Sequence, residues 1–337
     1  MKKDVKESSR IYYLDFMRGL AIFFMIMQHA MIVHEKTGGE GKTIIGNIFI
    51  LLGTAPAAPV FMFIMGLFIM KSKKSSRDVF IRGVKLFGLG YALNLLRFSL
   101  PMLIAGEPGA ISMFFGVDIL QLAGLSFMMA AFLRKYAKNK FVFPILIVVT
   151  LLVSPYLWGK FGGNFIFAPL WGTGGDVAFP FFPWCIYPML GMYLSPHLLH
   201  PSLASKAKRF LLVWGIALGV AGLLTLDLFP ASDYSRYGFG ASFIIISFVF
   251  LWLLVSEFLV NKIAIMKENM ISKALFYWSE NVTNVYIIQW VIYGWSMLLI
   301  GANEQNDFVA VLIGLIVLLL THMLLKYTPI SRLIPKI

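Results

Sequence analysis

Long runs of apolar residues, separated by short polar or basic connections, recur along the whole chain. Each run has about 17 residues or more, and a helix of that length crosses a hydrocarbon core of about 30 Å. The pattern therefore predicts an all-α polytopic membrane protein with about ten transmembrane helices. The predicted spans lie near residues 14–33, 45–70, 79–105, 117–133, 141–157, 179–197, 210–228, 239–258, 281–300 and 308–326.

Composition agrees with this class and the distribution of charge adds an orientation. Hydrophobic residues make up 59% of the chain, charged residues 13%, and the mean hydropathy is +0.81. The net charge of +13 could suggest nucleic-acid binding, but most Lys and Arg side chains lie on one set of alternate connections. The other set carries only Lys36, Lys42, Lys160 and Arg236. By the positive-inside rule both termini are predicted to be cytoplasmic, and the basicity is a signal of topology.

The chain shows no sign of division into separate domains. We find no boundary to a soluble domain, no low-complexity tract and no internal repeat, so we predict one domain over residues 1–337. The paired, broken helices of inverted-repeat transporters are not evident in the sequence. No cluster of Cys and His residues has the spacing of metal ligands, and we expect no metal site.

The first predicted span, "LDFMRGLAIFFMIMQH" (Leu14–His29), carries three ionisable side chains. On an α-helix, Arg18 and His29 differ by only about 20° in rotation and lie about 16 Å apart along the axis. Asp15 precedes Arg18 by one turn and borders the same face. One helix face therefore extends from a cation near the cytoplasmic edge to an imidazole in the outer third of the membrane.

This polar face has a structural and a functional interpretation. In the first, Arg18 pairs with Asp15 and reaches the cytoplasmic head groups, while His29 forms a hydrogen bond with another helix. In the second, the aligned side chains form part of an active site or a transport path. An arginine within a span costs roughly 2.5–3.5 kcal/mol on insertion, and this cost favours the functional interpretation.

Polar residues in the third and fourth spans are also candidates for a site. Asn94 and Arg97 lie one turn apart in the outer half of the third span, and Asp118 begins the fourth span at the same depth. We therefore predict an Arg97–Asp118 pair, which would serve either the structure or the binding of a substrate. Gln121, three residues further on, shares the face of Asp118.

The ninth span and one outer connection contain the remaining candidates. The ninth span has a polar stripe of Asn281, Asn284, Tyr286 and Gln289. Interhelical hydrogen bonds would account for that stripe, and substrate binding is the alternative. Asp176 and Trp171 lie in the outer connection, where a sugar acceptor could stack and form hydrogen bonds.

The first-span motif resembles the first-helix signature of the transmembrane acyltransferase superfamily. That superfamily includes acyltransferase family 3 and the heparan-α-glucosaminide N-acetyltransferase catalytic-domain family. The R-x10-H spacing of Arg18 and His29 is typical of acyltransferase family 3. Later blocks are similar, in order, to those of the second family: "PVFMFIMGLFI", "IRGVKLFGLGYALNL", "DILQLAGLSF", "FPFFPWCIYPMLG" and "ENVTNVYIIQ".

The resemblance implies a membrane-embedded acyltransferase. A cytoplasmic acyl-CoA, with acetyl-CoA favoured, would donate its acyl group to a hydroxyl or amine of a glycan or cell-envelope polymer at the outer face. Arg18 would bind the donor, and His29 would act as general base or carry the acyl group. Asn281 and Tyr286 match family positions. The N-acetyltransferase family usually has Asn in place of His29 and a later histidine, so His34 is the alternative base.

A proton-coupled transporter or flippase is the competing class, because the same polar path could relay protons. A membrane scaffold without catalytic activity is a third alternative. We expect an integral protein of a bacterial plasma membrane, in contact with lipid and without a nucleic-acid partner. Homo-oligomerisation is left open.

Overall fold

The computed structural model describes residues 10–36, 43–54, 57–137, 139, 141–160, 165–173, 176–228, 236–262 and 269–329. Over these residues the regular structure is helical, apart from isolated bridges between Glu35 and Gln305 and between Val117 and Val177. The predicted all-α class is therefore confirmed for the described chain. Both termini, which we predict to be cytoplasmic, and Lys42 lie outside the described residues.

The helices follow one another closely, as expected for a chain with short connections. In chain order they are α1 (Tyr12–His34), α2 (Ile44–Thr54), α3 (Ala57–Lys71), α4 (Ser76–Asn94), α5 (Leu100–Ala105), α6 (Ala110–Phe114), α7 (Ile119–Tyr136), α8 (Val142–Leu157), α9 (Ala168–Trp171), α10 (Phe181–Trp184), α11 (Ile186–Leu198), α12 (Ser205–Leu224), α13 (Phe239–Lys262), α14 (Met270–Glu280), α15 (Val282–Ile300) and α16 (Asp307–Tyr327). One turn of π-helix, Leu95–Ser99, joins α4 to α5.

Seven helical stretches in the described chain are long and apolar enough to cross a membrane. They are Tyr12–His34, Ile44–Lys71, Ser76–Ala105, Ser205–Leu224, Phe239–Lys262, Val282–Ile300 and Asp307–Tyr327. The other predicted spans correspond to α7, to α8 with 16 residues, and to the short helices α10 and α11. The multi-span membrane class is thus confirmed, while the count of ten and the orientation of the termini stay predictions.

Helix α1 lies at the centre of the bundle and is the most buried of the seven stretches. It packs against α2, α3, α13, α14, α15 and α16. Its sequence is apolar on nearly every face, which suits a helix surrounded by others. Gly19 permits a close approach to α14, because a Cβ there would lie 2.4 Å from the carbonyl oxygen of Leu275. The polar side chains of α1 therefore face other helices.

The π-helical turn places Arg97 in the interior of the bundle. A π-turn adds one residue to the helical repeat and changes the direction of the side chains after it, and such turns recur at functional sites. Helix α15 approaches this turn closely at Gly294, where a Cβ would lie 1.8 Å from the carbonyl oxygen of Arg97. Arg97 is 4% exposed as a result of this packing.

Candidate functional site

Two cavities lie along the polar face of α1. The Arg18 cavity has a volume of ≈ 260 Å³ and includes Arg18 in its wall. The His29 cavity has a volume of ≈ 570 Å³ and includes His29. The two cavities share four lining residues, which we call the neck: Met25, Phe61, Ile119 and Tyr286. The two ends of the predicted polar face therefore line two adjacent cavities, which have the neck residues in common.

A network of hydrogen bonds fixes Arg18 at its end of α1. The Nη2 atom donates to Asp15 Oδ1 at 2.8 Å, which confirms the predicted pair. The Nε atom donates to the Ser279 hydroxyl at 2.7 Å, and that hydroxyl donates to the same carboxylate oxygen at 2.9 Å. Arg10 holds the other oxygen of Asp15 at 2.8 Å. Arg10 also pairs with Glu280, at 2.7 Å, so two arginines and two carboxylates form one ion-pair network at this end of the site.

Further cations line the Arg18 cavity, namely Lys74 and Arg82. The guanidinium carbon of Arg82 lies 4.8 Å from the centre of the Phe127 ring, and its Nε has no hydrogen-bond partner among the described residues. Neither residue was predicted for the site, because each belongs to a basic connection whose charge the positive-inside rule already explains. With Arg18 they form a cationic lining that suits phosphate groups.

The hydrogen bonds around His29 define which ring nitrogen is basic. The amide nitrogen of Gln289 donates to the Tyr286 carbonyl at 3.3 Å, so the amide oxygen faces His29. That oxygen lies 3.1 Å from His29 Nδ1. A carbonyl oxygen accepts only, so the network assigns the proton to Nδ1 and leaves Nε2 as the acceptor. The ring also packs on Trp290, with ring centres 4.3 Å apart.

His34 occupies a different environment, outside both cavity linings. It is fully buried at the end of α1. Its Nδ1 lies 3.0 Å from the Gly301 carbonyl oxygen and its Nε2 lies 2.9 Å from the Ser296 hydroxyl. With both nitrogens engaged and no access to either cavity, His34 connects α1 to the end of α15. Of the two candidate bases, His29 lines one of these two cavities and His34 lines neither.

Arg97, Asp118 and Tyr286 form a cluster beside His29. Arg97 Nη2 lies 2.5 Å from Asp118 Oδ2, so the predicted pair is confirmed. The Tyr286 hydroxyl donates to the same oxygen at 2.6 Å. Asn94 accepts a hydrogen bond from Arg97 at 2.9 Å and donates to the Gly116 carbonyl at 2.7 Å. All of these side chains line the His29 cavity.

The remaining contacts of Arg97 are with aromatic rings. Its guanidinium carbon lies 4.4 Å from the centre of Trp290 and 4.5 Å from that of Phe98. The Nε and Nη1 atoms make no hydrogen bond among the described residues. Trp290 therefore contacts both Arg97 and His29, and the arginine and the histidine belong to one packed unit.

Three other predicted site residues lie around this unit in different roles. Gln121 accepts from the Asp118 backbone at 3.1 Å in a capping box at the start of α7, behind the cavity lining. Asp176 lines the His29 cavity and accepts a 2.6 Å hydrogen bond from Ser112. Asn281 donates to the Tyr277 carbonyl at 2.9 Å, outside both linings.

Trp171 and Asn284, the other polar candidates from the sequence, also lie outside both linings. Trp171 donates to the Lys160 carbonyl at 3.1 Å, and Asn284 is half-buried on α15. Among the described residues, no group of three or more His, Cys, Asp or Glu could hold a metal ion. The structure therefore gathers Asp118, Asp176 and Tyr286 around His29 and leaves Gln121, Asn281 and Trp171 apart from it.

The fold and this arrangement define a helical membrane protein in which a cation-lined cavity and a cavity lined by a histidine lie side by side along α1. The family model described as an acyltransferase domain, that of acyltransferase family 3, matches residues 11–327. The chain belongs to acyltransferase family 3 and is a membrane acyltransferase. The resemblance seen in the sequence is thereby confirmed. No curated protein matches the chain in the comparison.

Replacing Gln289 with leucine tests whether it orients His29. We expect acyl transfer at saturating substrate to fall about three- to tenfold, because a neutral hydrogen bond contributes about 0.5–1.5 kcal/mol and its loss frees the imidazole to rotate. Initial rates on purified Gln289→Leu protein, with thermal unfolding as the control for integrity, measure the effect. An unchanged rate in a folded protein would show that Gln289 has no part in positioning the base.

Proposed function

We propose that the chain transfers an acyl group, most simply acetyl, from cytoplasmic acyl-CoA to a hydroxyl or amine of a glycan or envelope acceptor at the outer face of a bacterial plasma membrane. The observation that carries this proposal is the pair of adjacent cavities along α1, one lined by cations and one by His29, whose linings share the neck residues. By the positive-inside rule, we expect the Arg18 end to face the cytoplasm.

The donor fits the cationic end of the site. In this proposal Arg18, Lys74 and Arg82 bind the phosphate groups of CoA through charge-assisted hydrogen bonds. The distance of about 16 Å along α1 from Arg18 to His29 is comparable with the extended pantetheine arm of CoA. The arm would then place the thioester beside His29 while the nucleotide stays at the cytoplasmic end.

The chemistry follows from the tautomer of His29. Its Nε2 accepts the proton of the acceptor hydroxyl or amine while the oxygen or nitrogen attacks the thioester carbonyl. The carbon–sulfur bond breaks, the thiolate of CoA leaves, and the imidazolium returns the proton to it. In the alternative, Nε2 attacks the thioester first and the thiolate of CoA leaves. The acceptor then takes the acyl group from the imidazole, and its proton passes to the thiolate. Asp118, Asp176 and Tyr286 supply hydrogen-bonding groups for the acceptor.

Acyl-CoA binding to the purified protein tests the donor assignment. We expect radiolabelled acetyl-CoA to bind the wild type, and Arg82→Gln to weaken that binding by about tenfold or more, because a hydrogen bond to a charged group contributes about 1.5–3 kcal/mol. Arg209→Gln is the matched control, since Arg209 is an exposed arginine outside both cavity linings. If the wild type bound no acyl-CoA and transported a labelled solute into proteoliposomes, the transporter alternative would replace this proposal.

A further inference from the structure

We infer that the neck selects the acyl group by its cross-section, admitting unbranched acyl chains and excluding those branched or ring-bearing beside the carbonyl. This inference rests on the proposed function, in which the thioester extends from the Arg18 cavity into the His29 cavity. The two cavities share Met25, Phe61, Ile119 and Tyr286 and are otherwise separate in their linings. An acyl group that crosses from one of these cavities to the other therefore passes these four side chains.

Hydrogen bonds at the start of α7 fix the ring of Tyr286 and the backbone of Ile119. The Tyr286 hydroxyl donates to Asp118 Oδ2 at 2.6 Å, which holds the ring beside the cavity. Ile119 directly follows Asp118, and its backbone nitrogen donates to Asp118 Oδ1 at 2.7 Å. The same carboxylate thus fixes two sides of the neck, and it is itself paired with Arg97.

The third side, Phe61, belongs to a helix that cannot shift easily. Helix α3 packs on α11 through close backbone contacts on both sides. A Cβ on Gly191 would lie 2.0 Å from the carbonyl oxygen of Phe63, and one on Gly66 would lie 2.2 Å from that of Pro188. At such contacts the two helices cannot move closer without a steric clash, and moving apart would lose packing contacts. The backbone that carries Phe61 is therefore held in place.

Met25 is the adaptable side of the neck. It lies one turn before His29 on α1, and its side chain is unbranched and flexible, so it can change rotamer at small cost. Movement of Met25 would open the neck, but the other three side chains still limit its width. In this inference an unbranched acyl chain passes the opening, whereas a methyl branch or a phenyl ring beside the carbonyl meets the three less mobile side chains.

We expect the length of the acyl chain to limit the choice of donor less than its width does. The His29 cavity, at ≈ 570 Å³, is about twice as large as the Arg18 cavity, at ≈ 260 Å³. Once past the neck, an unbranched acyl chain enters a space lined mainly by apolar side chains. Butyryl and isobutyryl groups have the same atoms and differ in branching, so their ratio isolates the effect of width.

The test compares kcat/KM for CoA release from butyryl-CoA, isobutyryl-CoA and benzoyl-CoA. We expect the wild type to favour butyryl over isobutyryl by about tenfold or more, the order of discrimination that hydrophobic pockets reach for one misplaced carbon. In Phe61→Ala the ratio should fall several-fold through faster use of isobutyryl-CoA. Ile119→Ala provides a second widening variant if Phe61→Ala does not fold. Met65→Ala, which widens the Arg18 cavity outside the neck, should keep the wild-type ratio.

The outcomes separate the inference from the proposed function. Equal use of butyryl-CoA and isobutyryl-CoA by the wild type overturns the filter and leaves the acyltransferase proposal standing. A Met65→Ala protein that relaxes the ratio as much as Phe61→Ala also overturns it, because the limit would then lie in the Arg18 cavity. Absence of acyl-CoA binding by the wild type overturns the proposed function and the filter together.

Discussion

Replacing His29 with glutamine is expected to lower acyl transfer by about 10²–10⁴-fold, the usual contribution of a general base. Glutamine keeps a polar group of similar length beside Gln289 and Trp290, so the packing of α1 should change little. It has no basic nitrogen comparable to Nε2, so the acceptor proton has no place to go. Acyl-CoA binding should be retained, because the cations of the donor end lie in the other cavity.

Single-turnover assays with His29→Gln and His34→Gln decide between the two histidines. The second variant loses its hydrogen bonds to Gly301 and Ser296, so we expect a lower thermal midpoint with the specific activity of the folded protein retained. A folded His34→Gln protein without transfer activity, together with an active His29→Gln protein, would assign the base to His34 instead.

Replacing Arg97 with methionine is expected to destabilise the protein by about 3–5 kcal/mol, the cost of leaving one partner of a buried ion pair alone. Asp118 would keep its hydrogen bond from Tyr286 but would lose its only ion-pair partner within the described residues. The contacts of the guanidinium with Trp290 and Phe98 would be lost as well. Because Asp118 also fixes two sides of the neck, activity should fall with stability.

A double-mutant cycle separates the ion pair from the packing of Arg97. Asp118→Asn removes the charge and keeps an oxygen that can accept from Tyr286. If the pair carries the effect, Arg97→Met/Asp118→Asn should be more stable than Arg97→Met alone, as thermal unfolding in detergent would show. If the double variant instead lost the sum of the unfolding free energies that the two single variants lose, the charges would not be coupled.

The sequence was sufficient for features that depend on one helix or on the cost of burying charge. The alignment of Arg18 and His29 follows from the geometry of a single α-helix. The Arg97–Asp118 pair was predictable because two ionisable groups at the same depth in neighbouring spans are stable only together. The spacing of Asp118 and Gln121 is that of a capping box, a signal that would have assigned Gln121 to the start of α7.

Other features depend on contacts between distant parts of the chain. Gln289 orients His29 only because α15 packs on α1, and the stripe containing Gln289 has the same pattern whichever helix it faces. Arg82 reaches the Arg18 cavity through the packing of α4, which its position in a basic connection does not reveal. The neck consists mainly of apolar residues without a distinctive spacing, so only the three-dimensional arrangement identifies it.

Transfer across a sealed bilayer tests the central claim that the acyl group moves from the Arg18 cavity to the His29 cavity. The protein would be reconstituted in liposomes with acetyl-labelled acetyl-CoA enclosed and glucosamine outside, so that only molecules with the donor end inward are active. The account predicts that CoA stays inside while the label appears outside, as acetylglucosamine or as acetate formed with water. Label and CoA released together inside the liposomes would contradict it, since donor and acceptor would then share one side of the membrane.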